Sequence, residues 1–131
     1  MPQTTARKLK IRERDQLRTL HAPADFKKKV GPLPEGVKIS DKVTTFQQLH
    51  WFVRDRAQME EELEQVMELT KGEVICWIYY PKGSSGIQTD LTRDKGWDAV
   101  LKEDMQWLSL ISFDDTWSAF AMRRKKRKVG S

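Results

Sequence analysis

Cysteine occurs once, as Cys76, so an intramolecular disulfide and the cross-linked framework of small secreted domains are both excluded. Histidine occurs only at His21 and His50, with no ligand spacing between them or to Cys76, and no zinc site is expected. No apolar run is long: residues 74–80 fall far short of the roughly 20 needed to cross a bilayer. Residues 1–14 carry cations with no apolar core behind them, which argues against a secretion signal. Together these absences predict a soluble, cytoplasmic protein without a membrane partner. The Pro81-Lys-Gly-Ser-Ser-Gly86 loop has neither the glycine spacing of a P-loop nor that of a dinucleotide fingerprint and lacks an aspartate placed for ribose, and the chain has no Gly-x-Ser-x-Gly elbow. No catalytic residue, metal or cofactor is assigned, and a small enzyme of unknown reaction stays open only as a third reading.

What is present fits one globular core. The chain has 131 residues, 38% of them hydrophobic and 33% charged, which suits a single domain and not a disordered chain. Its net charge of +5 is more than accounted for by six consecutive cations, Arg123, Arg124, Lys125, Lys126, Arg127 and Lys128. The body is therefore close to neutral, and residues 123–131 read as a basic, disordered tail. At the other end, residues 1–14 read as a loose arm anchored by Leu9 and Ile11, leaving residues 15–122 as the domain.

Periodicity supplies the elements. Residues 16–22 read as a strand, 24–30 as a helical turn and 37–39 as a short strand. Residues 46–53, apolar at most positions, read as a central strand covered on both faces. Asp55 and Gln58 form a capping-box pattern ahead of an apolar stripe at Met59, Leu63, Val66, Met67 and Thr70, with Gly72 at the end. Residues 73–80 are the clearest strand, stopped by Pro81. Thr89, Asp90 or Thr92 can cap a helix running to residue 103 with Trp97, Val100 and Leu101 inward. Strands at 105–113 and 117–122 flank an Asp114-Asp115 turn. This order predicts an α/β fold, a small Rossmann-like three-layer sandwich with a mainly parallel sheet and an antiparallel C-terminal hairpin.

The segment most suited to chemistry is the loop leaving the strand at Tyr80. In open α/β sheets ligands gather beyond the carboxyl ends of strands. Lys82 and Arg93 supply cations, Ser84 and Ser85 hydroxyls, and Gly83 and Gly86 close backbone approach, with Trp117 nearby. That set suits a phosphate, sulfate or carboxylate group; a plain βα connection explains the same residues as turns and caps. Asp90, Asp94, Asp114 and Asp115 could gather near one sheet edge for a divalent cation, although each is also an ordinary cap or turn residue. Cys76 is read as buried and inert, His50 as packed beside Trp51, and Trp77, Trp97, Trp107 and Trp117 as core. The basic tail can attract nucleic-acid phosphates in a salt-dependent way, or act only as a solubilising tail.

The motifs Tyr80-Pro-Lys-Gly-Ser-Ser-Gly, continuing to Trp97, and Asp114-Asp-Thr-Trp-Ser-Ala119 resemble a bacterial family of uncharacterised proteins, domain of unknown function 3052. The likeness also takes in Ala22-Pro23 and Leu33-Pro34-Glu35-Gly36 and spans roughly residues 8–123. It implies a shortened Rossmann-like sheet similar to the later strands of methyltransferases. Leu20-His21-Ala22-Pro23 stands where a methyl-donor site needs a glycine-rich loop, so methyl transfer is not implied.

Overall fold

The structure, a computed structural model, describes residues 4–83, 86, 89–92, 95–103 and 105–124. Six strands, β1 (Gln16–Leu20), β2 (Lys38–Ser40), β3 (Gln48–Phe52), β4 (Ile75–Pro81), β5 (Met105–Ser112) and β6 (Trp117–Arg124), form one mixed sheet in the order β2-β1-β3-β4-β6-β5. The pairs β1–β2, β1–β3 and β3–β4 are parallel, whereas β6 runs antiparallel to both β4 and β5. Among the described residues four helices accompany it: α1 (Thr5–Lys8), α2 (Phe26–Val30), α3 (Arg56–Leu69) and α4 (Asp98–Leu101). The fold is thus mixed α/β, its C-terminal hairpin antiparallel as the turn at Asp114 predicts. None of the described helices is long and apolar enough to cross a membrane.

Two-residue alternation sorts β3 and β4 between two cores. Leu49, Trp51 and Val53 join Cys76, Ile78 and Tyr80, Phe120 and Met122 from β6, and the α3 stripe Met59, Leu63, Val66 and Met67 in one cluster. Phe52, Trp77 and Tyr79 join Leu17, Trp117, Ala119 and the α1–α2 residues Ala6, Leu9, Phe26 and Val30 in the other. Phe26 is the hub of that second cluster, edge-on to Phe52 at 5.5 Å and to Tyr79 at 6.0 Å, and stacked on Phe113 at 5.7 Å. The α3 start follows its sequence pattern: Asp55 Oδ1 accepts from Gln58 N–H at 2.8 Å, and Gln58 Oε1 accepts from Arg54 N–H at 2.8 Å.

Every residue of β3 is buried, so its polar side chains must find partners inside. Gln48 turns its amide nitrogen to the carbonyls of Leu9 and Lys10 at 2.9 and 3.0 Å. Its oxygen therefore accepts from His50 Nε2–H at 2.8 Å, leaving Nδ1 to accept the Tyr79 hydroxyl at 2.6 Å. The Trp77 indole donates to the same Leu9 carbonyl at 3.0 Å. Residues expected as a loose arm are accordingly seated, with Ala6, Leu9 and Ile11 buried. His50, expected beside Trp51, instead lies on the opposite face, 5.5 Å from the Phe26 ring.

Three further expectations are corrected. The helix expected from the 89–92 region to residue 103 is only the four residues of α4, for reasons that lie in the loop described below. Leu101, expected inward, is 60% exposed, and Trp107, expected in the core, is 41% exposed. Trp107 sits on β5, the edge strand of the sheet, just before a bulge at which the register steps from Trp107 opposite Met122 to Ser109 opposite Ala121, leaving Leu108 extra. Trp107 and Leu110, three apart, then share a face at the sheet margin, Trp107 resting 4.4 Å from Phe120.

Burial drives the His50 pKa down from 6.5 to about 3. The unfolded chain takes up a proton below pH 6.5 that the folded chain refuses, so stability is full above 6.5 and is lost as pH falls toward 3. The slope approaches about 1.4 kcal/mol per pH unit in that window. Urea midpoints measured between pH 7 and 4.5 are expected to fall, and His50→Gln to flatten that part of the fall. Gln48→Ala removes one hydrogen-bond partner from each of His50, the buried Leu9 carbonyl and the part-buried Lys10 carbonyl, and should cost roughly 2 to 3 kcal/mol in the same assay.

Candidate functional site

The loop singled out in the sequence does border an opening. Beyond the carboxyl end of β4 lies a solvent-open cleft of about 1080 Å³. Its walls are Tyr80, Pro81, Lys82 and Gly83 from β4 and the residues after it, Asp55 and Ala57 at the start of α3, Thr89 to Thr92, and Ser118 of β6. Pairing puts it there: Pro81 lies opposite Trp117, and Lys82 N–H donates to the Thr116 carbonyl at 2.8 Å, so β4 ends where the β5–β6 turn begins.

Of the residues expected to bind, Lys82, Gly83 and Gly86 line the cleft, while Ser84, Ser85 and Arg93 lie outside the described residues. The Lys82 ammonium donates to Ser112 Oγ on β5. Gly86 adopts φ +84°, a conformation side chains resist, with open space where a Cβ would stand. Trp117 is close in the chain but not in the cleft: its ring is edge-on to Phe52 at 5.1 Å on the opposite face of the sheet.

Sequence reasoning missed the partners of Asp90. Its Oδ1 accepts from Arg56 N–H at 2.7 Å, which places a carboxylate at the positive end of α3. The Arg56 side chain donates to Glu60 at 2.6 Å and lies 3.7 Å from Asp98. Its pKa is raised chiefly by the Glu60 hydrogen bond and charge, with smaller contributions from Asp98 and Asp90.

The remaining loop groups are spent on turns. Thr89 Oγ1 accepts from Leu91 N–H and Thr92 Oγ1 from Lys95 N–H, both at 3.1 Å, and the Thr92 carbonyl accepts the Trp97 indole at 2.7 Å. Gly96, at φ +99°, then breaks any continuous helix through this stretch. Asp114 Oδ1 takes the N–H groups of Thr116 and Trp117, both at 2.8 Å. Among the described residues no cluster of His, Cys, Asp and Glu could hold a metal ion; Asp94 lies outside them. Cys76 is buried, and burial pushes its thiol pKa up, away from the reactive thiolate.

No protein-family model, curated protein or solved structure matches the chain. A Cβ at Gly96 would stand 2.6 Å from Leu91 Cδ2 and 3.1 Å from the Asp90 carbonyl, at a φ that strains any side chain. Gly96→Ala is therefore expected to cost about 2 kcal/mol in thermal unfolding and to loosen the Leu91 wall of the cleft.

Proposed function

We propose that the chain is a non-catalytic binding or regulatory module whose ligand, a small anion such as a phosphate or carboxylate, occupies the cleft beyond β4. One observation carries this reading: the cleft opens at the carboxyl end of β4, a central strand parallel to β3, against the start of a 14-residue helix. Lys82 is the described cation on its wall, and Ser84, Ser85 and Arg93 belong to the same loop in sequence. Asp90 marks where a ligand's negative group would sit, and binding would exchange that internal carboxylate for the ligand's own.

The finer architecture is part of the same proposal: a reduced Rossmann-like, three-layer sandwich of the domain of unknown function 3052 type. Its support is the reversal of strand order about β1 and the burial of β3 and β4 between two clusters. The quoted 80–97 and 114–119 motifs carry the family part.

A second reading, nucleic-acid association, has one observation in its favour. Lys10, Arg12, Arg123 and Arg124 converge on a groove of about 530 Å³ that also contains Asp15 and Glu73. Arg123 and Arg124 extend β6, and Arg124 Nη2 donates to the Met67 carbonyl, so the first two cations of the basic run are partly committed to the fold. The other four lie outside the described residues.

Thermal shift with inorganic phosphate, acetyl phosphate and nucleotides tests the first reading. Ligand at ten times its Kd is expected to add about 1.4 kcal/mol, a rise of a few degrees, and Lys82→Ala to abolish it. A shift that survives Lys82→Ala would sink the reading. For the second, removal of residues 125–131 should weaken binding to a DNA oligonucleotide and flatten its salt dependence.

A further inference from the structure

The carboxyl edge of the sheet has another opening, of about 630 Å³, where β1 and β2 end. The chain leaves β1 for β2 on one side and returns to β3 on the other, and crevices outside such a reversal are where open α/β sheets take ligands. Three places contribute to its lining: the end of β1 with Thr19 and His21, α2 with Lys27, and the end of β2 with Asp41.

His21 is held in an unusual state. Its φ of +60° lies in the left-handed region, which a histidine enters only at some cost. Its Nε2 meets Oε2 of Glu62 on α3, while the other Glu62 oxygen accepts from the Trp51 indole at 2.9 Å and the Gln58 amide at 3.1 Å. A strained, half-exposed ring is thus fixed by a carboxylate that two further donors orient. Such conformations persist where surrounding structure over-determines them, and they concentrate at ligand sites. Asp41 and Lys27, by contrast, have no side-chain hydrogen bond or ion pair among the described residues.

From this placement we infer that the opening binds a small anionic sugar, a sugar phosphate with a vicinal diol. An ionised aspartate is acceptor-only with two oxygens, the complement of two adjacent hydroxyl donors. Lysine supplies the compact positive charge a phosphate needs. Thr19, the His21 ring, Ala22 and Pro23 line the same opening. Asp41 comes beside the end of β1 because Ser40 pairs with Arg18. The site is separate from the cleft beyond β4 and does not rest on the reading of that cleft.

Calorimetric titration of ribose 5-phosphate into the full chain tests the inference. Saturable binding is expected, at least tenfold tighter than that of 2-deoxyribose 5-phosphate or inorganic phosphate. Asp41→Asn should erase the preference for ribose over deoxyribose while keeping the thermal midpoint, since Asp41 is exposed. Lys27→Ala should weaken both sugars equally. Adenosine monophosphate in parallel distinguishes a nucleotide, which would bind tighter, from a free sugar phosphate, which would not. No saturable binding, equal affinity for the two sugars, or an unaltered preference in Asp41→Asn overturns the inference. So does loss of binding in Lys82→Ala, which would put the ligand in the cleft beyond β4.

Discussion

The chain of hydrogen bonds from Tyr79 through His50 and Gln48 to the carbonyls of Leu9 and Lys10 is the constraint on which the rest of the architecture depends. A strand buried at every position can carry polar side chains only if each one closes on a partner, because an unmet buried donor or acceptor costs more than a made one gains. The network has one consistent assignment of donors and acceptors. That assignment keeps His50 neutral, holds its tautomer, and fixes the N-terminal segment against β3 and β4. With that segment in place, Leu9 and Ala6 complete the core around Phe26, and α2 is set over the end of β1.

Local periodicity made much of this legible. The alternation of β3 and β4, the α3 stripe, the Asp55 cap and the Asp114 turn are each written within a few consecutive residues. The network is not, because Gln48 and Leu9 are 39 positions apart and no short pattern announces their meeting. Local rules also misled. Asp90 and Thr92 are good caps in isolation, but Asp90 is taken by the backbone of Arg56 and Thr92 by a closed turn before Gly96. Trp107 reads as core by its hydrophobicity; the place of β5 at the edge of the sheet puts it at the margin instead.

The two openings at the carboxyl edge show the same limit from the functional side. The loop after β4 was visible as a motif because its glycines, serines and cations are contiguous. The group around β1 and β2 was not, because Asp41 joins Thr19, His21 and Lys27 only through the parallel pairing of β1 with β2. A site assembled by topology leaves little local trace in sequence.

The position of β6 has a consequence for how the protein is made. β4 is the most continuously apolar strand, and its antiparallel neighbour is the last strand among the described residues. On the ribosome, β1, β3 and β4 can pair as they emerge, but one margin of β4 stays open until residues 117–124 have been synthesised. A nascent chain halted before that point would present Ile75, Trp77 and Tyr79 on an unpaired strand, the form of exposed edge most prone to join another chain.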